Sequence, residues 1–473
     1  MQTNPWLMIL CLLMLLVMGG VPAVDWQVAR AGNLPRASNS PPGLPGAYSP
    51  ANGYLGARLV TELNVQVSDP DGDDLTVTFY GRPKQTKPPT GNFSLVLLPD
   101  TQYYTTQPGG GAIFQAQTQW IVDQRLNRNI VFVSHLGDVV ETGNYDTDKS
   151  EWNIADTAMQ VLEMAPGVAG GIPYAITTGN HDVVGGGSLF EQYFGVNRFT
   201  TAVPQPRPYY GGHYGSDNRN NYAFFGAGEM GFIVINLDTS VTPPVEVLKW
   251  AERLLRLNIQ RRAIIVSHVL LYPGTPAAWL FPGDQVYEAL KDNPNLFLML
   301  CGHLDSEVQR QDTFEGNTVY SLMSDYQLHP NGGDGWLRIM TFSDAFDQIQ
   351  VETYSPSLNS YATDADSQFT LPYPMRDDLV ILGARSNIAS GESTSVIWAN
   401  LTPGTEYEWF VTVDDGNLIT LGPRWGFTTQ DPSVIGVTSV QAHPGRVIGF
   451  WLIAVVVGLA LGTVKFIRKN VRK

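Results

Sequence analysis

Three polar side chains follow one another at the end of an apolar run in the stretch YAITTGNHDVV, residues 174–184. They are Asn180, His181 and Asp182, and Gly179 precedes them. An amide, an imidazole and a carboxylate are costly to bury, and all three are groups that bind metal ions. A Gly-Asn pair is also common in turns, so this stretch alone leaves both interpretations open.

Four other apolar runs end in the same kinds of side chain. In a layered α/β fold, sites gather beyond the carboxyl ends of the strands, so we expect these side chains to meet. Turn chemistry alone would rarely give such endings to five runs in chain order. The side chains are Asp100 and Gln102 in LVLLPDTQ, Asp138 in VFVSHLGD, His268 in AIIVSH, and His303 and Asp305 in LMLCGHLD.

Carboxylate, amide and imidazole ligands suit hard or borderline divalent cations. The set is larger than one tetrahedral ion needs, and a shared carboxylate can hold two ions ~3.5–4 Å apart, so we expect two ions. Taken singly, His268 or His303 is more typical of a buried structural histidine than of a metal ligand, and Asp100 or Asp138 could belong to a turn. We expect His135 to be buried behind the site rather than to be a ligand.

The elements that would position these residues alternate between strands and helices. From about residue 92 to Cys301, short apolar runs such as FSLVLLPD and RAIIVSHV are separated by helical stretches such as VEVLKWAERLLRL. This alternation predicts an α/β layered fold. After Cys301 the helical pattern stops, and NTVYSLMSD, WLRIMTF and IQVETYSP predict antiparallel strands.

Two β-rich segments flank the α/β region. Residues 61–81, TELNVQVSDPDGDDLTVTFYG, show two alternating runs around a turn, which predicts a β-hairpin. Residues 376–430 contain NLTPGTEYEWFV and WGFTT, which resemble the second half of a fibronectin type III-like module. We expect both segments to form one β-sandwich with the α/β domain inserted between its strands; two separate small β units are the alternative.

The two ends of the chain predict a membrane topology. Residues 6–24 are apolar and end in a pattern that suits signal-peptide cleavage after Ala23, although the absence of Lys and Arg before them leaves an uncleaved anchor open. Residues 447–464 carry no charge over 18 positions, and five basic residues follow within KFIRKNVRK. The positive-inside rule then puts residues 24–446 outside the cytoplasm. A buried core helix with a basic tail is the alternative.

Composition excludes some classes of protein. The chain has 473 residues and a formal net charge of -15, and no cluster of Lys and Arg precedes its last residues, so we expect no binding to a nucleic-acid duplex. Its only cysteines are Cys11 and Cys301, which provide no disulfide framework. The sequence does not indicate an oligomeric state.

The order D-x-Q, G-D, G-N-H-D, H and G-H resembles the five sequence blocks of the calcineurin-like metallophosphoesterases, over roughly residues 92–355. This resemblance implies a β-sandwich layered by helices and hydrolysis of phosphoesters by a hydroxide that bridges two metals. It assigns Asp100 to the first metal, Asp138 as the bridge, and the remaining ligands to the second. These remaining ligands are Asn180, His268 and His303. His181 would contact the phosphate and leaving group, with Asp182 orienting it.

Two residues depart from the family pattern. Gln102 stands where the family usually has His, and Asp305 replaces the second His of G-H-x-H. Both changes would fall on the first metal and make its ligands richer in oxygen. Such a site favours Mn²⁺ or Mg²⁺ over Zn²⁺ or Fe, which stay possible, and it would bind its ion more weakly. Whether Asp305 is a ligand stays open at this point.

The resemblance and the topology together predict a membrane-anchored, outward-facing enzyme for phosphomonoesters or phosphodiesters. The alternatives are a cell-surface binding protein that has lost turnover through Gln102 and Asp305, and a purely structural metal site.

The predicted segments are a signal peptide (1–23), a linker (24–57), the first half of an immunoglobulin- or fibronectin-like β module (58–86), the metallophosphoesterase domain (88–375), the second half of the module (376–430), a transmembrane helix (447–466) and a basic cytoplasmic tail (467–473).

Overall fold

A computed structural model describes residues 39–84, 91–201, 206–228, 230–343, 346–375 and 379–431. The predicted signal peptide, transmembrane helix and cytoplasmic tail lie outside these residues. Among the helices of the described ranges, none combines the length and apolar character that crossing a membrane requires. The described residues up to Gln430 belong to one structural unit.

Four strands precede the α/β region: β1 (Gly46–Ser49), β2 (Tyr54–Ala57), β3 (Thr61–Gln66) and β4 (Leu75–Pro83). The predicted linker over 24–57 therefore contains two short strands. Composition suggested a linker because this stretch is rich in Pro, but β1 pairs with β3 at the end of a three-stranded sheet, and Pro is tolerated at sheet edges.

The α/β region, named here the layered domain, contains sixteen strands and eight helices among its described residues. The strands are β5 (Phe93–Leu98), β6 (Ile130–His135), β7 (Tyr174–Ile176), β8 (Tyr210–His213), β9 (Asn221–Ala227), β10 (Met230–Leu237), β11 (Arg262–Ser267), β12 (Leu271–Tyr272), β13 (Ala278–Trp279), β14 (Leu296–Cys301), β15 (Ser306–Phe314), β16 (Asn317–Asp325), β17 (Leu337–Ser343), β18 (Gln348–Ser355), β19 (Ser360–Ala362) and β20 (Phe369–Pro372). The helices are α1 (Gln102–Thr106), α2 (Gly110–Gln124), α3 (Ser150–Glu163), α4 (Ser188–Phe194), α5 (Val196–Thr200), α6 (Val245–Leu257), α7 (Gly283–Leu290) and α8 (Pro330–Gly333).

Two large sheets form the layered domain, and β12 pairs with β13 in a separate two-stranded sheet. The first has the order β19-β18-β17-β5-β6-β7 with β20 beside β18, and the second has the order β15-β16-β14-β11-β10-β9-β8. Strands β5, β6 and β7 are parallel, and so are β10, β11, β14 and β16. The prediction of antiparallel strands after Cys301 is therefore wrong for one pairing, because β16 is antiparallel to β15 but parallel to β14.

Aromatic side chains fill the space between the two sheets. Phe93 of β5 contacts Phe232 of β10 with ring centroids 5.7 Å apart, and Phe297 of β14 lies 6.2 Å from Phe342 of β17. On the other face of the second sheet, α6 and α7 pack through residues such as Val247 at helical spacing. The layered domain is thus a β-sandwich flanked by helices, and its core fixes the strand ends that carry the predicted ligands.

The chain then returns to the first four strands through β21 (Val380–Ile388), β22 (Ser393–Trp398), β23 (Glu406–Asp414), β24 (Ile419–Leu421) and β25 (Trp425–Thr429). One sheet has the order β1-β3-β22, and the other has the order β2-β25-β23-β4-β21, with β24 beside β23. We call these nine strands the β-module. Both of its sheets contain strands from each side of the layered domain, which is therefore an insertion between β4 and β21.

The predicted hairpin at residues 61–81 is wrong, because β3 and β4 lie in different sheets of the β-module. Leu63 and Val65 of β3 pack in one core with Val77 and Phe79 of β4. Alternating apolar residues fix which face of a strand is buried and leave its partner strand undetermined. Two strands that face one core from opposite sheets give the same sequence pattern as a hairpin.

Candidate metal centre

The predicted ligands lie in loops that directly follow strands of the two sheets. Both sheets bring the carboxyl ends of their parallel strands to one place, as the contacts below demonstrate. The positions are Asp100 after β5, Asp138 after β6, Asn180 after β7, His268 after β11 and His303 after β14.

Asp138, His268 and His303 form a compact group in which each residue offers one ligand atom and all these atoms lie within 4.8 Å of one another. His268 Nε2 lies 3.0 Å from Asp138 Oδ2 and 3.3 Å from His303 Nδ1. A carboxylate and two imidazoles in this spacing are a suitable ligand set for a divalent transition metal. The structure therefore brings together three of the predicted ligands from three different strands.

Asp100 lies at the edge of this group. The backbone N–H of His303 donates to Asp100 Oδ2 over 3.2 Å, and this oxygen is 3.9 Å from His268 Nε2. Burial and the nearby Asp325 raise the pKa of Asp100 well above its ordinary value. A bound cation would stabilise the ionised carboxylate of Asp100 and so offset the cost of burying its charge.

The electrostatics of the group are those of a charged pair in a buried site. Burial favours the neutral form of Asp138, but the charge of His268 and the hydrogen bond from His268 lower the pKa of this carboxylate. Burial also opposes the charge on His268, but Asp138 and Asp100 raise the pKa of that ring to about 10. Burial and His268 lower the pKa of His303 to about 4. The neutral His303 ring thus keeps a lone pair available for a metal.

Two predicted ligands have buried oxygens without a hydrogen-bond partner among the described residues. These oxygens are Gln102 Oε1 and Asn180 Oδ1. An unsatisfied buried acceptor costs about 1–3 kcal/mol, so such groups call for an explanation. Bound cations would satisfy both oxygens, and the donor set of carboxylates, amides and imidazoles fits divalent ions.

Glycines allow the carboxylates to approach the neighbouring loops. A Cβ atom on Gly302 would lie 2.1 Å from Asp100 Oδ1, and one on Gly179 would lie 2.0 Å from Asp138 Oδ1. No real side chain tolerates such distances. The glycines of the G-H and G-N-H-D motifs are therefore required by the positions of the two aspartates.

Glu141 holds His181, which is a contact that sequence reasoning missed. His181 Nδ1 lies 2.8 Å from the Glu141 carbonyl oxygen and 3.3 Å from Glu141 Oε2. The carbonyl oxygen can only accept, so Nδ1 carries a proton, and Nε2 is the nitrogen left for a substrate. The His181 backbone N–H donates to Asp138 Oδ1 over 2.9 Å, which fixes the imidazole beside the candidate metal group.

The expected contact between Asp182 and His181 is not among the hydrogen bonds of the described residues. Asp182 Oδ1 instead accepts the N–H groups of Val139 and Val140 over 2.8 and 3.1 Å, and Oδ2 accepts that of Gly179 over 2.8 Å. Burial and Asp138 raise the pKa of Asp182 to about 8. Asp182 therefore ties the loop after β7 to the loop after β6, and Glu141 has the orienting position expected of Asp182.

Asp305 does not belong to the compact group of Asp138, His268 and His303. Its Oδ1 instead accepts the N–H of Leu328 over 2.9 Å. Asp325, at the end of β16, is the carboxylate that sequence reasoning missed, and it is fully buried. Gln327 links it to the site, because Gln327 Nε2 donates to Asp325 Oδ2 over 2.9 Å and lies 3.3 Å from the His303 carbonyl oxygen. Gln102 donates in turn to Gln327 Oε1.

His135 is buried, as predicted, and lies behind the site. Its Nε2 is 3.0 Å from Thr101 Oγ1, and its Nδ1 accepts the N–H of Gly137 over 3.2 Å. Burial and the charge of His268 lower the pKa of His135 to about 3, so the ring is neutral. Both of its nitrogens are engaged in the loop structure.

Comparisons with known proteins agree with this geometry. Residues 94–306 match the family model described as calcineurin-like phosphoesterase. The uncharacterised protein YvnB of Bacillus subtilis (strain 168) is 31% identical over 372 residues, an alignment that covers 72% of this chain. The chain spans only 27% of the length of that relative.

Two solved structures are distantly similar. The purple acid phosphatase PPD1 from yellow lupin (Lupinus luteus) seeds has a TM-score of 0.40 at 13% identity, over 72% of this chain and 76% of that protein. GAP50, the anchor in the inner membrane complex of Plasmodium, has a TM-score of 0.38 at 13% identity, over 60% and 89% of the two chains. The family match identifies a calcineurin-like phosphoesterase domain at residues 94–306, and the ligand group of Asp138, His268 and His303 lies within this domain.

Proposed function

We propose that this chain hydrolyses phosphomonoesters or phosphodiesters with two divalent metal ions, on the outer side of a membrane to which its C-terminus anchors it. The observation that supports the enzyme most directly is the meeting of Asp138, His268 and His303 within 4.8 Å. Beside them, Gln102 and Asn180 each present a buried oxygen that has no hydrogen-bond partner in the part of the chain that the structure describes. The anchor rests on the apolar residues 447–464 and the basic residues that follow them.

In this proposal the residues divide into two ligand sets that share Asp138. Asn180, His268 and His303 complete one set, and Asp100 and Gln102 complete the other. When bound, divalent ions supply positive charge for the phosphoryl oxygens and lower the pKa of a water molecule to about 7. The set with Asp100 and Gln102 contains oxygen ligands only, which favours Mn²⁺ or Mg²⁺ there.

His181 would serve as the proton donor to the leaving oxygen. Its Nδ1–H is held by the Glu141 carbonyl oxygen at 2.8 Å, so a protonated ring would present its other N–H, on Nε2. The Glu141 carboxylate also lies beside this ring, with Oε2 3.3 Å from Nδ1. The side chain of His181 is 33% exposed, which leaves it accessible to a substrate.

A second candidate function is a binding protein that keeps this fold without turnover. The observation in its favour is Asp305, whose carboxylate is engaged by the N–H of Leu328. The ligand set of Asp100 and Gln102 then has one member fewer than the family pattern supplies. A weakly bound first ion would leave the second ion able to bind a phosphate but poorly able to hydrolyse it.

Two variants separate these functions when turnover and metal content are measured on the same samples. His181→Ala should lower kcat for bis(4-nitrophenyl) phosphate at least about a hundredfold and keep its metal, because His181 contributes no ligand. Asp138→Asn should lose both turnover and metal. Asp292→Asn is the matched control, because Asp292 is exposed and precedes β14, at the opposite end of the sheet from the site. A His181→Ala variant with unchanged kcat would remove the proton-donor role.

A further inference from the structure

A cavity of about 260 Å³ lies beside the candidate metal centre. Asp325 lines it, and Gln327 Nε2 connects Asp325 to the metal centre, because it donates to Asp325 Oδ2 over 2.9 Å and lies 3.3 Å from the His303 carbonyl oxygen. Ser306, next to Asp305, also lines the cavity. A substrate whose phosphate reached the metal ligands would have this cavity available for the group attached to that phosphate.

The cavity is acidic. Asp364 and Asp366 are exposed at its rim, and no Lys or Arg is among the described residues that line it. A hydrogen bond from Ser367 lowers the pKa of Asp364, which keeps that carboxylate ionised. Glu307, a further lining carboxylate, is paired with the buried Arg338 and adds little net charge. The net charge of the lining is therefore negative, which attracts a cation.

One side of the cavity is aromatic. The ring of Tyr326 lies at right angles to that of His329, with centroids 6.0 Å apart, and 6.5 Å from that of Trp336. The Tyr326 hydroxyl donates to Glu307 and lies 3.3 Å from Thr353 Oγ1, so the ring is held in place. Aromatic faces combined with carboxylates recognise alkylammonium groups, because the ring quadrupole attracts a cation that water hydrates poorly.

We propose that this cavity binds the ammonium group of an amino alcohol that is esterified to the substrate phosphate. The inference rests on the proposed phosphoesterase function and specifies its substrate class: a phosphodiester with one cationic arm. The aromatic corner of Tyr326, His329 and Trp336 would face the alkyl groups, and Asp364 would face the charge. A cavity of about 260 Å³ has room for one small head group.

The test compares two esters of equal shape on the full chain with Mn²⁺. One is 4-nitrophenyl phosphocholine, and the other is its uncharged isostere, 4-nitrophenyl 3,3-dimethylbutyl phosphate. We expect kcat/KM to be about tenfold higher for the charged ester. Asp364→Asn should reduce this preference about threefold and leave the rate for the uncharged ester unchanged. Asp123→Asn, an exposed substitution near the end of α2, should leave the preference intact.

Choline binding provides a readout that is independent of turnover. Calorimetric titration of the chain with choline should give a binding heat that Asp364→Asn weakens and Asp123→Asn does not. Equal kcat/KM values for both esters, or no choline binding to the unmodified chain, would overturn the cation site while leaving the phosphoesterase proposal intact. If neither ester is hydrolysed, the phosphoesterase proposal fails, and the choline titration alone decides whether the cavity binds a cation.

Discussion

The imidazole of His181 rests against Glu141, with Nδ1 2.8 Å from the carbonyl oxygen and 3.3 Å from the carboxylate oxygen Oε2 of the same residue. One residue thus fixes the ring in two ways. The carbonyl oxygen selects the tautomer that leaves Nε2 for a substrate, and the carboxylate lies beside the same Nδ1 nitrogen. Since Glu141 lies three residues after Asp138, the loop after β6 supplies both a proposed metal ligand and the support of the proposed proton donor.

Glu141→Gln keeps the carbonyl contact and removes the negative charge. We expect kcat for an aryl phosphodiester to fall about tenfold, because a general acid contributes 10²–10⁴-fold and only part of that depends on this charge. Metal content should not change, since Glu141 is not in the ligand group. An unaltered kcat in this variant would show that the carbonyl oxygen alone orients His181.

Gly302→Ala should weaken metal binding without changing any ligand. The new Cβ would lie 2.1 Å from Asp100 Oδ1, so the carboxylate must move from its position. We expect the affinity for Mn²⁺, measured by calorimetry, to fall at least about tenfold. Gly46→Ala is the control, because nothing lies within 4 Å of the Cβ there. Equal affinities in both variants would contradict the placement of Asp100.

Asp325→Asn tests the carboxylate at the end of β16. Burial raises the pKa of Asp325 to about 7, and the Asp325 charge in turn raises the pKa of Asp100. Removing a buried negative charge beside a cation site should lower Mn²⁺ affinity about tenfold. The hydrogen bond from the N–H of Gln327 can persist, because Asn keeps an acceptor oxygen. If Asp325→Asn binds Mn²⁺ as tightly as the Asp292→Asn control, Asp325 has no part in the site.

His135 should make stability depend on pH. In the unfolded chain this ring has its ordinary pKa of 6.5, whereas burial lowers its pKa to about 3 in the native fold. The unfolded chain therefore binds more protons between these values, and the free energy of unfolding falls as the pH falls. From pH 7.5 to 5.5 this loss amounts to about 1.4 kcal/mol.

His135→Gln removes the titrating ring, so the variant should lack that part of the pH dependence. Denaturant unfolding of both chains at pH 7.5 and 5.5, with a chelator present, gives the difference directly. The gap in unfolding free energy between the two chains should narrow by about 1.4 kcal/mol at the lower pH. A gap that stays constant would mean that His135 has the same pKa in the native and the unfolded chain.

The sequence predicted the ligand group because strand ends are readable from periodicity. Five apolar runs ended in polar side chains, and parallel strands place such ends at one edge. Asp325 gave the same signal, since NTVYSLMSD also ends in Asp. The antiparallel interpretation of this run hides the signal, because only the parallel pairing with β14 points its end towards the site.

Other features depend on contacts that no local pattern encodes. Asp182 follows His181 directly, so proximity in sequence suggested a bond between them, but the turn aims its carboxylate at the backbone of the loop after β6. Glu141 meets His181 only because two loops pack together. Strands β3 and β4 look like a hairpin because they bury their apolar residues in the same core.

The central claim is that the ligand group binds divalent ions and that these ions support hydrolysis. The most direct measurement removes metal from the chain with a chelator, restores Mn²⁺ in steps, and follows both bound metal and the hydrolysis of bis(4-nitrophenyl) phosphate. We predict that turnover is absent without metal, rises with bound Mn²⁺, persists in Asp292→Asn and is lost in Asp138→Asn. A folded chain that binds Mn²⁺ and hydrolyses neither this diester nor 4-nitrophenyl phosphate would contradict the account and favour a binding protein.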